Sequence, residues 1–132
     1  MKLDHTFYNT PIAHRGLHNV AEGFPENSLD SIKRALSFNY GVEIDVQISA
    51  DKKAVVFHDY KLDRLTNKIG LIREKTFDEL KSIFLLGSKN KIPLLSDVLN
   101  IIDGKQPVLI EIKDQDGQLG SNVGDLEKEV SK

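Results

Sequence analysis

The chain has 132 residues, a length that suits one domain with its own buried core. Its 18 Lys and Arg stand against 20 Asp and Glu, and a net charge of −2 excludes a global basic field for nucleic acid or an anionic membrane surface. It has no cysteine, which removes disulfides, zinc–thiolate sites and thiol nucleophiles together and fits a reducing compartment. Met1 to Thr10 lacks the apolar stretch of a signal peptide, and no run approaches the ~18 apolar residues of a membrane span. The expectation is a cytoplasmic chain with no stable membrane insertion.

Taken in order, Phe7 to Pro11 lead into Ile12-Ala13-His14, a short expected strand stopped by Arg15-Gly16. Leu17 to Asn27 holds Gly23 and Pro25 and is expected to be a loop. Asn27 or Ser28 can cap a helix in which Leu29, Ile32 and Leu36 recur at helical spacing. Asn39-Tyr40-Gly41 ends it, with Gly41 available for a left-handed turn.

From Val42 to Ile48 apolar and polar residues alternate strictly, the period of a β-strand. Glu43 and Asp45 then share one face about 6.6 Å apart, two strand rises of roughly 3.3 Å. At an effective dielectric of about 20 they repel by roughly 2.5 kcal/mol, so a positive group is expected between them. The plain alternative is an amphipathic strand with a wet acidic face.

Asp51-Lys52-Lys53 is a turn short enough for a hairpin, followed by the apolar run Ala54 to Phe57, which ends on His58-Asp59. Thr76 with Glu79 has the pattern of a capping box and predicts a helix through about Leu86. Ser96 is the expected cap of a helix from Asp97 to Ile102, closed by Asp103-Gly104. Val108 to Lys113 is the last expected strand, and the polar segment 114–132 is expected to be a loose tail.

Four expected strands thus end in ionisable residues: His14 and Arg15, Glu43 and Asp45, His58 and Asp59, Glu111 and Lys113. A parallel sheet with intervening helices gathers such ends at one site, because ligands bind outside the carboxyl ends of its strands. Glu43, Asp45 and Glu111 are hard oxygen donors that suit Mg²⁺ or Ca²⁺. An imidazole ordinarily exchanges protons near neutral pH, and the Arg15 fork suits a phosphate. Together they describe hydrolysis of a phosphate ester, whereas His5 and His18 lie off the strand ends and are assigned to the surface.

The segments Ile12-Ala13-His14-Arg15-Gly16, Pro25-Glu26-Asn27-Ser28, Val42-Glu43-Ile44-Asp45-Val46, Phe57-His58-Asp59, Leu62-Asp63-Arg64-Leu65-Thr66-Asn67, Ile92-Pro93-Leu94-Leu95 and Ile110-Glu111-Ile112-Lys113 resemble, in order and with similar gaps, the glycerophosphodiester phosphodiesterases. The resemblance implies an α/β fold of TIM type, a (β/α) barrel, that uses one divalent cation to hydrolyse small-molecule glycerophosphodiesters to glycerol 3-phosphate and an alcohol. It further implies Glu43, Asp45 and Glu111 as metal ligands, His14 and His58 as the acid/base pair, Arg15 and Lys113 at the phosphate, and Glu26 and Asn27 in support.

A complete barrel takes about 250 residues, with a floor near about 200. The expectation is therefore a partial barrel: residues 1–113 as its N-terminal half, with about four parallel strands and intervening helices, the C-terminal half absent. Open sheet edges and apolar inner faces, such as those of Val56 and Leu109, are expected to favour a homo-oligomer. The alternative function is a weakly active or inert metal- and phosphate-binding fragment that acts only by association.

Overall fold

The computed structural model describes residues 2–114 and 124–132. A short helix α1 (His5–Asn9) precedes strand β1 (Ile12–His14), helix α2 (Leu29–Ser37) and strand β2 (Gly41–Ile48). Strand β3 (Ala54–Val56), helices α3 (Phe77–Leu80) and α4 (Leu95–Ile102), strand β4 (Val108–Ile112) and helix α5 (Asp125–Val130) follow.

β2 is the centre of the sheet. β1 lies parallel along its first half with His14 opposite Glu43, and β4 lies parallel on its other edge with Asp45 opposite Glu111. β3 pairs antiparallel with the far end of β2, Val46 opposite Val56. Four parallel strands were expected; three are parallel and β3 is the exception. The reason is reach, because residues 49–53 that join β2 to β3 are too few for the crossover of about a dozen residues that parallel pairing needs. The alternative of a hairpin, legible in the short turn, is what forms.

The apolar face of β2 carries Val42, Ile44 and Val46, all fully buried beneath Ile32 and Ala35 of α2 and Val98 and Ile102 of α4. Burial of each such side chain contributes about 1.5–3 kcal/mol. Val56 also belongs to this core, so the expectation that it lines an exposed inner face is corrected: antiparallel pairing turns it toward the helices. Val55 of β3 and residues 57–92 build a second apolar cluster on the other side of that strand, with Phe57, Leu62, Ile72 and Leu80 among its members.

Local signals hold with adjustments. Ser28 caps α2, its hydroxyl accepting from the Ser31 N–H, and Thr76 and Glu79 form the full capping box. α3 stops at Leu80 rather than Leu86, because Leu85 and Phe84 instead bridge to Thr66 and Lys91. α4 starts at Leu95, which puts Ser96 inside the helix and not at its cap. Asn39 takes the left-handed turn assigned to Gly41. Gly41 is required for a different reason, since a Cβ there would lie 2.8 Å from the Pro107 carbonyl oxygen.

The tail expected to be loose is not so at its end. α5 places Leu126 in the core beside β2 and β3, fully buried, and Lys52 reaches Asp125 at 2.7 Å. Residues 115–123 of that segment lie outside the described residues. On β4 Leu109 stays 52% exposed and Ile112, on the opposite face, 40%, so this edge strand is open on both faces, as expected for Leu109.

Candidate active site

The polar face of β2 is not wet. Asp45 is 1% exposed, and Glu43 and Gln47 are buried as well, so this strand is covered on both faces. Burial of charge demands partners, and the loops after β1 and β3 supply them.

The first loop is bent sharply at its root. Arg15 (φ 56) and Gly16 (φ 77) both take left-handed backbone, and a side chain at Gly16 would collide with Ser31. The conformation costs a non-glycine residue roughly 1–2 kcal/mol. It aims the Arg15 N–H at Glu43 Oε2 (3.1 Å) and brings the guanidinium to Glu26 (Nη1–Oε2, 2.8 Å) and Asp45 (Nε–Oδ2, 3.3 Å). Asn27, also left-handed at φ 55, clasps Asp45 twice: its Nδ2 donates to Oδ2 at 2.9 Å and its Oδ1 accepts from the Asp45 N–H at 3.3 Å. Glu26 and Asn27 thus touch the charged groups directly. His14, whose side chain is 67% exposed, holds Nε2 3.8 Å from Glu43 Oε2. His18 is exposed at the edge of the His14 ring and His5 is exposed on α1, in line with their surface assignment.

The second loop follows β3. His58 Nδ1 meets Asp59 Oδ1 at 2.7 Å, and Arg64 grips both Asp59 oxygens, at 2.8 and 2.9 Å, while reaching Glu26 Oε1 at 2.9 Å. A chain of alternating basic and acidic side chains therefore runs from His58 through Asp59, Arg64 and Glu26 to Arg15. Gln47 pins the same loop by donating its Nε2 to the carbonyls of Phe57 and Asp59, at 2.7 and 2.6 Å. The sequence reading gave no role to Gln47 or Arg64. The former was visible as the third polar residue on the face of Glu43 and Asp45, and the latter only as a member of a motif.

From β4, Glu111 brings a carboxylate oxygen within 4.8 Å of those of Glu43 and Asp45. Just beyond its end, Lys113 sets its ammonium 2.6 Å from Glu111 and 3.2 Å from Asp45. Burial, and then the neighbouring Asp45 and Glu111 carboxylates, push the Glu43 carboxyl above its usual range against the pull of the Arg15 N–H. The Lys113 ammonium is held above its usual range by Glu111 and Asp45, although burial works the other way. The guanidinium of Arg64 holds the Asp59 carboxyl down to about 2.

The donor set fits a divalent cation on two grounds. Asp45 Oδ1 is buried without a hydrogen bond among the described residues and is met by the Lys113 ammonium at 3.2 Å as an ion pair, so this carboxylate keeps lone-pair capacity for a cation. Among the described residues the network also joins Glu26, Glu43, Asp45, Asp59 and Glu111 to Arg15, Arg64 and Lys113. With both histidines neutral that leaves two negative charges, the complement of one Mg²⁺ or Ca²⁺ on oxygen ligands.

Residues 14–132 match the model of the glycerophosphoryl diester phosphodiesterase family. A glycerophosphodiester phosphodiesterase of Bacillus altitudinis is 36% identical over 108 residues, which is 76% of this chain and 43% of that one. The crystal structure of such an enzyme from Thermotoga maritima superposes with a TM-score of 0.71 at 32% identity, over 93% of this chain and 50% of its own. An Oleispira antarctica phosphodiesterase, solved with its product sn-glycerol-3-phosphate, gives 0.71 at 32% identity, over 82% of this chain and 47% of that one. The chain thus spans about half the length of these relatives, and its open sheet is part of a TIM-type (β/α) barrel. It belongs to the glycerophosphoryl diester phosphodiesterase family.

Proposed function

We propose that this chain carries the catalytic half of a metal-dependent hydrolase that converts glycerophosphodiesters to glycerol 3-phosphate and an alcohol, a reaction of lipid and glycerol metabolism. The observation that carries this reading is the convergence of Glu43, Asp45 and Glu111, one oxygen from each within 4.8 Å, in a network that among the described residues joins five acids to three basic side chains. These three residues would hold one Mg²⁺ or Ca²⁺, which when bound would stabilise charge developing on the phosphate oxygens.

The remaining work falls to the chain's own side chains. Arg15 and Lys113 stand beside the acids to orient the phosphate, and Glu26 and Asn27 hold Arg15 and Asp45 in place. Of His14 and His58, one takes the proton from the attacking oxygen and the other returns a proton to the leaving alkoxide as the P–O bond breaks. A cysteine-free composition is the support for placing this activity in the cytoplasm.

A second reading, a fragment that binds metal and phosphate with little turnover by itself, is favoured by the open β4 edge and its exposed Leu109 and Ile112. Residues 1–113 are on this account the N-terminal half of the barrel, and an unpaired edge invites association with another chain. A misplacement of about 1 Å can cost about 10²-fold in rate even with every catalytic group present. The test combines light scattering at micromolar concentration with glycerol 3-phosphate release from several glycerophosphodiesters, with Mg²⁺ and Ca²⁺ in turn. The expected result is self-association through the sheet edge with weak turnover. A folded monomer with strong turnover would show that half a barrel suffices, and release from none of the substrates in any assembly would contradict the assigned reaction.

A further inference from the structure

We propose that Arg64, anchored on Glu26, is a positioning residue that fixes the ring orientation and tautomer of His58 through Asp59. The inference rests on the reading of His58 as a proton-transfer group. Three guanidinium nitrogens of Arg64 are engaged at once, Nε and Nη2 on the two oxygens of Asp59 and Nη1 on Glu26, all between 2.8 and 2.9 Å. Planar two-point grips of this kind set direction as well as distance, which a lysine ammonium cannot do. Asp59 Oδ1 is then 2.7 Å from His58 Nδ1.

A carboxylate gripped in this way stays ionised and only accepts hydrogen bonds. The proton of that contact therefore belongs to Nδ1 of His58, and Nε2 is left with the lone pair to receive a proton from a reacting group. Gln47 fixes the backbone of the same turn at Phe57 and Asp59, so the carboxylate, and not the turn, is what Arg64 adds. The other end of the strut matters equally. Glu26 also holds Arg15 at 2.8 Å, so Arg64 sets the second loop against the first, which bears the proposed phosphate ligand.

The test is ¹⁵N spectroscopy of the His58 imidazole in the whole 132-residue chain at a pH where the ring is neutral. The wild type should show the Nδ1–H tautomer. Arg64→Gln should lose it in favour of the Nε2–H form, and Arg64→Lys should follow the glutamine variant because it keeps the charge without the fork. The Arg64 side chain is 51% exposed, so both variants should keep the fold, which circular dichroism checks. Asp59→Asn gives an independent route to the same loss. An unchanged tautomer in Arg64→Gln, or a wild-type signature in Arg64→Lys, would overturn the inference. His58→Ala in the phosphodiesterase assay judges the underlying reading separately. Unchanged turnover there, beside an Arg64-dependent tautomer, would remove the catalytic role and leave the positioning contact in place.

Discussion

The two faces of β2 solve one problem in opposite ways. Val42, Ile44 and Val46 are buried by apolar side chains of α2 and α4, and nothing further is required of them. Glu43, Asp45 and Gln47 alternate with them and are buried as well, yet each depends on partners carried in by loops. The first face is complete as it stands. Among the described residues the second retains an excess of negative charge and a buried carboxylate oxygen, Asp45 Oδ1, that is ion-paired with Lys113 and not hydrogen-bonded, and β4 beside it carries exposed apolar residues. On the proposed reading, fold stability belongs to one set of alternate residues and chemistry to the other.

If that division holds, damage to one face should leave the other's property intact. Ile44→Ala should produce the largest effect, a loss of about 2–5 kcal/mol in denaturant unfolding, because it opens a cavity under α2 and α4. The folded variant should bind divalent cations as the wild type does. A matching loss of cation affinity would break the comparison.

Replacing either His14 or His58 with Ala should slow an active assembly of this chain at least ~10²-fold, or about 2.7 kcal/mol in barrier. The unfolding midpoint of the His14 variant should hardly move, since that side chain is 67% exposed. Turnover within a few-fold of wild type in both variants would return the two imidazoles to structural roles.

The smallest effect concerns pH. Burial and the neighbouring acids hold the Glu43 carboxyl above its usual range, so the folded chain binds that proton more tightly than the unfolded chain does. Stability from this group is then present below the unfolded value, roughly 4.3, and is lost as pH rises through the folded one. In the presence of a chelator, Glu43→Gln should therefore be more stable than wild type at neutral pH and should lose less stability between mildly acid and neutral solution. Parallel stability curves for the two proteins would contradict the electrostatic account of this face.

What could be read from the sequence followed from local rules. Strict alternation identified β2 and put Glu43 and Asp45 on one face, and Thr76 with Glu79 identified the capping box of α3. The two acids were expected to end their strand and instead lie within β2, where Glu111 of β4 meets them. Contacts between distant segments were less legible. Burial of the acidic face depends on Arg15, Asn27 and the turn held by Gln47, which approach only in three dimensions. Leu126 gave no helical pattern strong enough to overrule a polar composition, yet one fully buried leucine suffices to dock α5. The direction of β3 was decided by connection length, and a family resemblance that suggested parallel strands pointed the other way from the short turn. Arg64 lay in a motif without an evident partner, because Asp59 and Glu26 meet it from two different loops.

The central claim is the proposal that the polar face of β2, with Glu111, binds one divalent cation. Calorimetric titration of the chain with Mg²⁺ and Ca²⁺, wild type beside Glu43→Gln, tests it most directly, since the substitution keeps the shape and removes one charge. The account predicts binding of one ion to the wild type and an affinity lower by about tenfold or more in the variant, at least ~1.4 kcal/mol. Equal affinity in the two proteins would contradict it.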